Sequence, residues 1–273
     1  MGRSFIIGLL KHGSLEVALG AVVMSMVVAS TCGAYVPGSV YVSLFLAVWF
    51  IYILDRLFDA RKIPTSASNP RHHFYQEHFS QLLTVLVIVG CVGLGSLVYL
   101  PAPVLLYGVL VMGSCLLYLL WVFLSTRSLP KEVVVAALYT AGISLAPRAL
   151  ASSGVGPVDL LIFMVIFLIA FINLILFSRQ ERQYDMADSQ ESFITRWKPE
   201  KIGLLLRAAF TMAIIGIAGF SWFSDSLLAL QGLLMLMLGV LWILYQRMAD
   251  FETSFTYRLI GDGIFLMPIL LLI

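Results

Sequence analysis

Nine apolar runs succeed one another along the chain, at about 15–36, 39–55, 82–100, 103–124, 133–151, 158–178, 202–223, 226–246 and 257–273. A helix needs about 20 mostly apolar residues to cross the hydrocarbon core of a bilayer, and the runs sit near that length. None shows the strict alternation of a half-buried strand. The pattern predicts nine transmembrane helices. Tyr35-Val36-Pro37-Gly38 and Leu100-Pro101-Ala102-Pro103 separate neighbouring runs by very few residues and predict tight helical hairpins. Residues 4–11 predict a short helix lying at the membrane interface.

The polar positions supply the orientation. Lys and Arg fall before the first run and between runs 2 and 3, 4 and 5, 6 and 7, and 8 and 9. Of the 17 basic residues only Arg148 breaks this pattern. Positive charge marks the cytoplasmic face, so the N-terminus is predicted to be cytoplasmic and the C-terminus to lie opposite. The loops after runs 2 and 6 are the longest, about 25 residues each, where ordinary connections are much shorter.

Composition agrees. Hydrophobic residues make up 60% of the 273 and charged ones 12%, about half the charged fraction of a soluble domain, and the mean hydropathy is +0.98. No polar block is large enough to fold alone, so residues 1–273 read as a single integral-membrane domain. A net charge of +2, distributed by topology, argues against a nucleic-acid partner. Cys32, Cys91 and Cys115 lie in apolar segments without ligand spacing and read as packing residues. The first run is too long for the core of a signal peptide and has no clear small-residue cleavage site, so no processing is expected.

Against this background the 15 acidic residues stand out. Asp55 and Asp59 end the second run four residues apart, on one face of a helix. Glu181, Asp185 and Asp188 follow the sixth run at i, i+4 and i+7, again on one face, with Tyr184 beside them. Like charges at such spacings repel unless a cation lies between them; Arg56, Arg61 or a metal would serve. Mg²⁺ takes one or two carboxylates and completes its shell with water and phosphate oxygens. The competing account is a pair of solvated helix ends. Two acidic faces at the same membrane depth favour a shared site.

At this point the chain resembles the UbiA superfamily of intramembrane prenyltransferases, which has nine helices around a central cavity and acidic motifs after helices 2 and 6. The first family motif, roughly NxxxDxxxD, is met by Ile51-xxx-Asp55-xxx-Asp59. The second, often DxxYxMxD, is met by Glu181-xx-Tyr184-x-Met186-x-Asp188. Ile51 replaces the motif Asn and Glu181 the first motif Asp. The resemblance implies that Asp55, Asp59, Glu181, Asp185 and Asp188 hold Mg²⁺ on a prenyl diphosphate, whose chain is transferred to a lipophilic or aromatic acceptor in the membrane. It also implies a multi-pass protein of a bacterial inner membrane. Asn173 can supply the missing amide or hydrogen-bond a neighbouring helix. Arg61, Lys62, Arg71 and the pair Arg127/Lys131 lie on the same side as the acids. They can bind diphosphate or simply obey the positive-inside rule; the family offers a phosphate-binding Lys comparable to Lys131.

Other features have two readings. Arg71-His72-His73-Phe74-Tyr75-Gln76-Glu77-His78 matches neither HExxH nor HxxEH, and reads as interfacial packing with diphosphate contact as the secondary option. Asp262, about one turn inside the last run, is an intramembrane carboxylate and therefore a functional candidate, yet Arg258 four residues earlier offers a local ion pair. Phe171, Trp121 and Tyr139 can line a prenyl cavity or face lipid and other helices. A non-catalytic UbiA-like protein that binds a lipid or isoprenoid and assists a membrane complex is the alternative to an enzyme. A CDP-alcohol phosphotransferase is disfavoured, because Asp59-Ala60-Arg61 lacks that family's glycine and downstream acids.

Overall fold

The computed structural model describes residues 3–124, 131–188, 197–222, 227–248 and 256–272. Its α-helices are α1 (Arg3–His12), α2 (Leu15–Thr31), α3 (Gly38–Lys62), α4 (Pro70–Glu77), α5 (Phe79–Ser96) and α6 (Ala102–Leu124). They continue with α7 (Lys131–Leu150), α8 (Pro157–Gln180), α9 (Arg182–Ala187), α10 (Pro199–Gly219), α11 (Leu228–Gln246) and α12 (Thr256–Gly263). No strand occurs among the described residues. Seven helices are long and apolar enough to cross a membrane: α3, α5 with its 3-10 extension to Tyr99, α6, α7, α8, α10 and α11. This is a multi-pass membrane protein.

The first expected span forms over Leu15–Thr31, and the short helix expected at 4–11 forms ahead of it. Phe5–His12 and Leu15–Thr31 meet at 43°, and counted as one span they bring the count to eight. Ser14 at the bend adopts φ 56, and a Cβ on Gly13 would lie 2.3 Å from the Leu9 carbonyl oxygen. The indole N–H of Trp49 donates to the Gly13 carbonyl at 2.9 Å and fixes the corner to α3. The expected ninth run is divided: α12 gives way at Ile264 to a 3-10 helix, Ile264–Leu271, which contains Pro268. Proline removes a backbone donor and crowds the preceding turn, so a regular helix is disfavoured there.

α8 occupies the centre. Val165, Ile169, Ile172 and Ile175 are fully buried in a core shared with α2, α7, α10 and α11. Lipid tails are as apolar as leucine, so close packing rather than exclusion of water holds such helices together. Gly216 of α10 shows how close: a Cβ there would lie 2.8 Å from Val165 Cγ2 and 2.9 Å from Met164 Cε. Valine has little χ1 freedom with which to retreat. Gly216→Val is therefore expected to cost about 1–3 kcal/mol by overpacking. A lowered thermal midpoint in detergent would register it, and an unchanged midpoint would show that α10 backs away freely.

A second cluster joins α1, α3, α4 and α5 through Phe5, Ile53, Leu57, Tyr75 and Leu82. Meanwhile α5 and α6 turn Ile88, Leu106, Leu110 and Leu117 outward, where lipid solvates them. The basic residue that broke the charge pattern is neutralised: Arg148 Nη1 lies 2.6 Å from Asp159 across the α7–α8 connection.

The loop after α3 is fastened by one side chain. Gln76 Nε2 donates to the carbonyls of Ala60, Ile63 and Thr65 at 3.0–3.2 Å, and its Oε1 accepts from the Ala67 N–H at 2.9 Å. Pro70 opens α4 behind a fully buried Asn69, whose Oδ1 accepts from the Arg71 N–H at 3.0 Å. That cap brings Arg71 and His72 under the polar end of the bundle.

Candidate active site

A cavity of about 900 Å³ runs into the bundle. Asp55, Asp59, Glu181 and Asp185 all line it, so the two acidic clusters meet over one chamber. Asp55 and Asp59 project from the last two turns of α3, and Arg56 Nη1 stands 4.0 Å from Asp55 and 3.6 Å from Asp59. Arg56, rather than Arg61, relieves the repulsion between the two acids. Lys131 at the start of α7 also lines the chamber, within electrostatic reach of both Asp59 and Asp185. Burial pushes the Asp185 carboxyl up to about 6, against the opposing pull of Lys131.

Glu181 is held differently. Burial alone would raise its carboxyl, but the charges of Arg258 and Arg71 keep it well below the usual range. Arg258 approaches as a fork, Nε to Oε1 at 2.5 Å and Nη2 to Oε2 at 2.7 Å. The Tyr257 hydroxyl donates to Oε1 at 2.7 Å, and Arg71 Nη2 reaches Oε2 at 3.5 Å. The Arg258 guanidinium also lies over the Phe177 ring, 4.6 Å from its centroid. Both oxygens of Glu181 are thus engaged by protein. The local Arg258–Asp262 pair expected from spacing does not form: Arg258 serves Glu181, and Asp262 accepts instead from Asn173 Nδ2 at 3.4 Å. Asn173 itself does not line the chamber.

The remaining candidates separate. Asp188 is buried outside the chamber lining and accepts from the Ser68 N–H at 2.8 Å, tying the loop after α3 to the segment after α8. Tyr184, Arg61 and Lys62 do not line the chamber. The Lys62 ammonium donates to the Val122 carbonyl and lies over the Phe123 ring. Arg127 lies outside the described residues. In the histidine run, His72 lines the chamber; burial takes its imidazole down to about 4, although Asp59 pulls the other way. His73 is exposed beside Glu77, and His78 packs on Phe5 and Phe74. The run is therefore mostly packing, with one imidazole at the site.

Glu132 was not singled out by its sequence context. It is buried, lines the chamber and accepts from the Ser178 hydroxyl at 2.8 Å. Its adjacency to Lys131 at a helix start was the available signal. Of the three aromatic residues proposed for the cavity wall, Tyr139 lines it, whereas Phe171 is buried in the core and Trp121 is exposed.

Chemically the mouth of the chamber combines anions with unsatisfied donors. Arg56 Nε and His72 Nδ1, on residues of the lining, are buried without a hydrogen-bond partner. So is Nε of Arg71, which does not itself line the chamber but reaches Glu181, which does. Burial with Arg258 and Arg56 nearby lowers the Arg71 guanidinium to about 10, which leaves it charged at neutral pH. Among the described residues no three His, Cys, Asp or Glu side chains are close enough to hold a metal ion unaided. The arrangement suits Mg²⁺ that takes one or two carboxylates and receives its other ligands from water and phosphate. Beneath the mouth, Leu86, Val89, Val109, Met112 and Leu116 make an apolar lobe from α5 and α6.

No protein-family model and no curated protein sequence matches the chain. Solved structures do. The chain is similar to a UbiA homologue from Aeropyrum pernix K1 in its apo form, with 12% identity, 94% of this chain and 98% of that chain covered, and a TM-score of 0.66. It is similar to a UbiA homologue from Archaeoglobus fulgidus bound to DMAPP and Mg²⁺, with 11% identity, 97% of each chain covered and a TM-score of 0.67. A structure of digeranylgeranylglyceryl phosphate synthase shares 12% identity over 98% of this chain and 97% of its own, at a TM-score of 0.59. The likeness extends over almost the whole length of each chain, and on it this protein has the UbiA fold.

Proposed function

We propose that the protein is a divergent UbiA-type prenyltransferase, which moves an isoprenyl group from a prenyl diphosphate to a lipophilic or aromatic acceptor within the membrane. The observation that carries this reading is the chamber itself: acids from α3 and α9, with Lys131 and the unsatisfied Nε of Arg56 beside them, and an apolar lobe below. The Archaeoglobus structures hold GPP or DMAPP with Mg²⁺, and this mouth suits the same kind of ligand. The topology that goes with the proposal is nine spans with a cytoplasmic N-terminus, in a bacterial inner membrane, with α12 and its 3-10 continuation as the ninth.

In this arrangement one or two of Asp55, Asp59 and Asp185 would hold Mg²⁺, whose remaining ligands would come from water and the diphosphate. Bound there, the ion would neutralise charge on the departing pyrophosphate. Lys131 and Arg56 bind the diphosphate oxygens, where fixed positive groups act most strongly on charge that grows in the transition state. His72, neutral, donates a hydrogen bond to the same group. Glu181 orients Arg258 and Arg71 toward the diphosphate, and Asp188 keeps the two loops together over it. The apolar lobe takes the isoprenyl tail and excludes the water that would quench an allylic cation.

The second reading, a non-catalytic isoprenoid-binding protein, draws on Ile51, which lines the chamber where the family motif carries Asn. Calorimetric titration with geranyl thiolodiphosphate, which does not ionise readily, separates the two. Prenyl transfer requires binding that falls at least about tenfold when EDTA removes Mg²⁺, by loss of a ligand-bridging ion. Binding indifferent to EDTA and equalled by geraniol would establish the second reading.

A further inference from the structure

Deeper in the chamber a second polar group is set into an otherwise apolar interior. Asp262 on α12, Tyr52 on α3 and Tyr139 on α7 all line it. Tyr52 precedes Asp55 by one turn, Asp262 follows Arg258 by one turn, and Tyr139 follows Lys131 by two. At the rise of an α-helix these offsets put the group roughly 5–12 Å below the mouth. Asp262 is within electrostatic reach of both tyrosines.

The group is under-satisfied. Asp262 is only 8% exposed, and among the described residues it receives one hydrogen bond, from Asn173 at 3.4 Å. The Tyr139 hydroxyl is enclosed without a partner, and its ring is held edge-on by Phe265, with centroids 5.2 Å apart. Buried polar groups normally find partners, and an intramembrane carboxylate is a functional candidate by default. Arg258, one turn earlier, is within electrostatic reach but makes its hydrogen bonds to Glu181, so Asp262 has no ion-pair contact among the described residues. Asn173 holds the carboxylate in place, and Gly261 makes room for that contact, since a Cβ there would lie 2.4 Å from Asn173 Oδ1.

The chamber therefore has two linings. The wall from α5 and α6 is mainly hydrocarbon, and its one phenol, Tyr118, lies within electrostatic reach of Asp55 and Asp59, whereas the deeper wall from α3, α7 and α12 offers a carboxylate and two phenols. The carboxylate repels an anion and accepts from a donor. A hydroxyl can donate to Asp262 and accept from a tyrosine, whereas an ether can only accept. We propose that Asp262, flanked by Tyr52 and Tyr139, is the acceptor subsite, and that it takes the hydroxyl of a neutral, lipophilic alcohol or phenol. The name acceptor rests on the prenyl-transfer reading; the hydroxyl site does not.

The test uses the full chain in lipid nanodiscs and two photoactivatable probes, a diazirine-bearing 4-alkylphenol and its O-methyl ether. Each is titrated with Mg²⁺ and geranyl thiolodiphosphate present or absent. The phenol is expected to label peptides of α3, α7 and α12, with at least tenfold higher affinity than the ether. Asp262→Asn, which offers the chamber an amide where a carboxylate stood, should remove that preference and leave thiolodiphosphate affinity unchanged. Equal labelling by phenol and ether, or a preference that survives in Asp262→Asn, overturns the proposal. Should Asp262→Asn fail to fold, Tyr52→Phe decides, with a reduced phenol preference expected and an unaltered one contrary. If the wild-type protein does not bind thiolodiphosphate, the prenyl-transfer reading fails alone, and the phenol-to-ether ratio still decides the subsite.

Discussion

Asp55→Asn is expected to lower Mg²⁺-dependent turnover of a prenyl diphosphate by about a hundredfold or more, the size of effect seen when one fixed group that meets transition-state charge is removed. The substitution keeps the volume of the side chain and removes its charge. Its effect on the fold should have the opposite sign. Asp55 and Asp59 stand four residues apart with only Arg56 between them, and like charges at that spacing destabilise a helix by a few tenths of a kcal/mol. Asp55 also keeps a third of its side-chain surface open to the chamber, so no buried partner is orphaned. Activity falls while the thermal midpoint holds or rises slightly. Asp59→Asn should lower turnover alike, but Arg56 and Lys131 then lose the acid they share, so its midpoint should fall and not rise. Pyrophosphate release from geranyl diphosphate, measured with the purified protein in lipid, reports the first effect, and a melting curve of the same preparation the second. Turnover retained in both variants removes the carboxylates from the metal site.

That these two acids share one helix face and reach the chamber was legible early, because lipid makes carboxylates scarce and helical spacing puts positions 55 and 59 together. The long helices were legible for a related reason: the bilayer dictates their length and polarity, so α3, α6, α7, α8, α10 and α11 fall where the apolar runs do. Hydropathy carries less information where backbone geometry intervenes. It does not register the bend at Gly13-Ser14, nor the change to 3-10 helix ahead of Pro268. Least legible were pairings between distant segments. Periodicity states which residues share a helix face, but not which other helix that face meets. Glu181 therefore read as a metal ligand like its neighbours, although its partners, Arg258 and Tyr257, come from the far end of the chain. The sequence offers Arg258 to Asp262 as one of two readings, because only the local neighbour is visible there. Asp188 met the motif, yet its contact is a backbone N–H in the other long loop. Lys131 could be placed on the right side of the membrane; its position between Asp59 and Asp185 needed the packed bundle.

The ion pair that escaped sequence reasoning should have the larger effect on stability. Arg258→Met keeps most of the side-chain volume over Phe177 but leaves Glu181 buried with the Tyr257 hydroxyl and a single arginine contact at 3.5 Å. Breaking a buried ion pair from one side typically costs about 3–5 kcal/mol, because the remaining charge is stranded away from water. Glu181→Gln strands positive charge instead, since Arg71 and Arg258 then face each other across an amide. Each single variant should lower the thermal midpoint well beyond Gly216→Val. Combining Arg258→Met with Glu181→Gln should cost less than the sum of the two, a coupling of about 0.5–3 kcal/mol between contacting residues. Addition of Mg²⁺ also separates an anchoring role from a ligating one. If Glu181 chiefly anchors Arg258, Arg258→Met is destabilised with or without the ion. If Glu181 is free to ligate, saturating Mg²⁺ supplies the missing positive charge and restores the midpoint. A melting curve of Arg258→Met that coincides with wild type would show that the clamp on Glu181 carries no stability, and the carboxylate would return to the metal site.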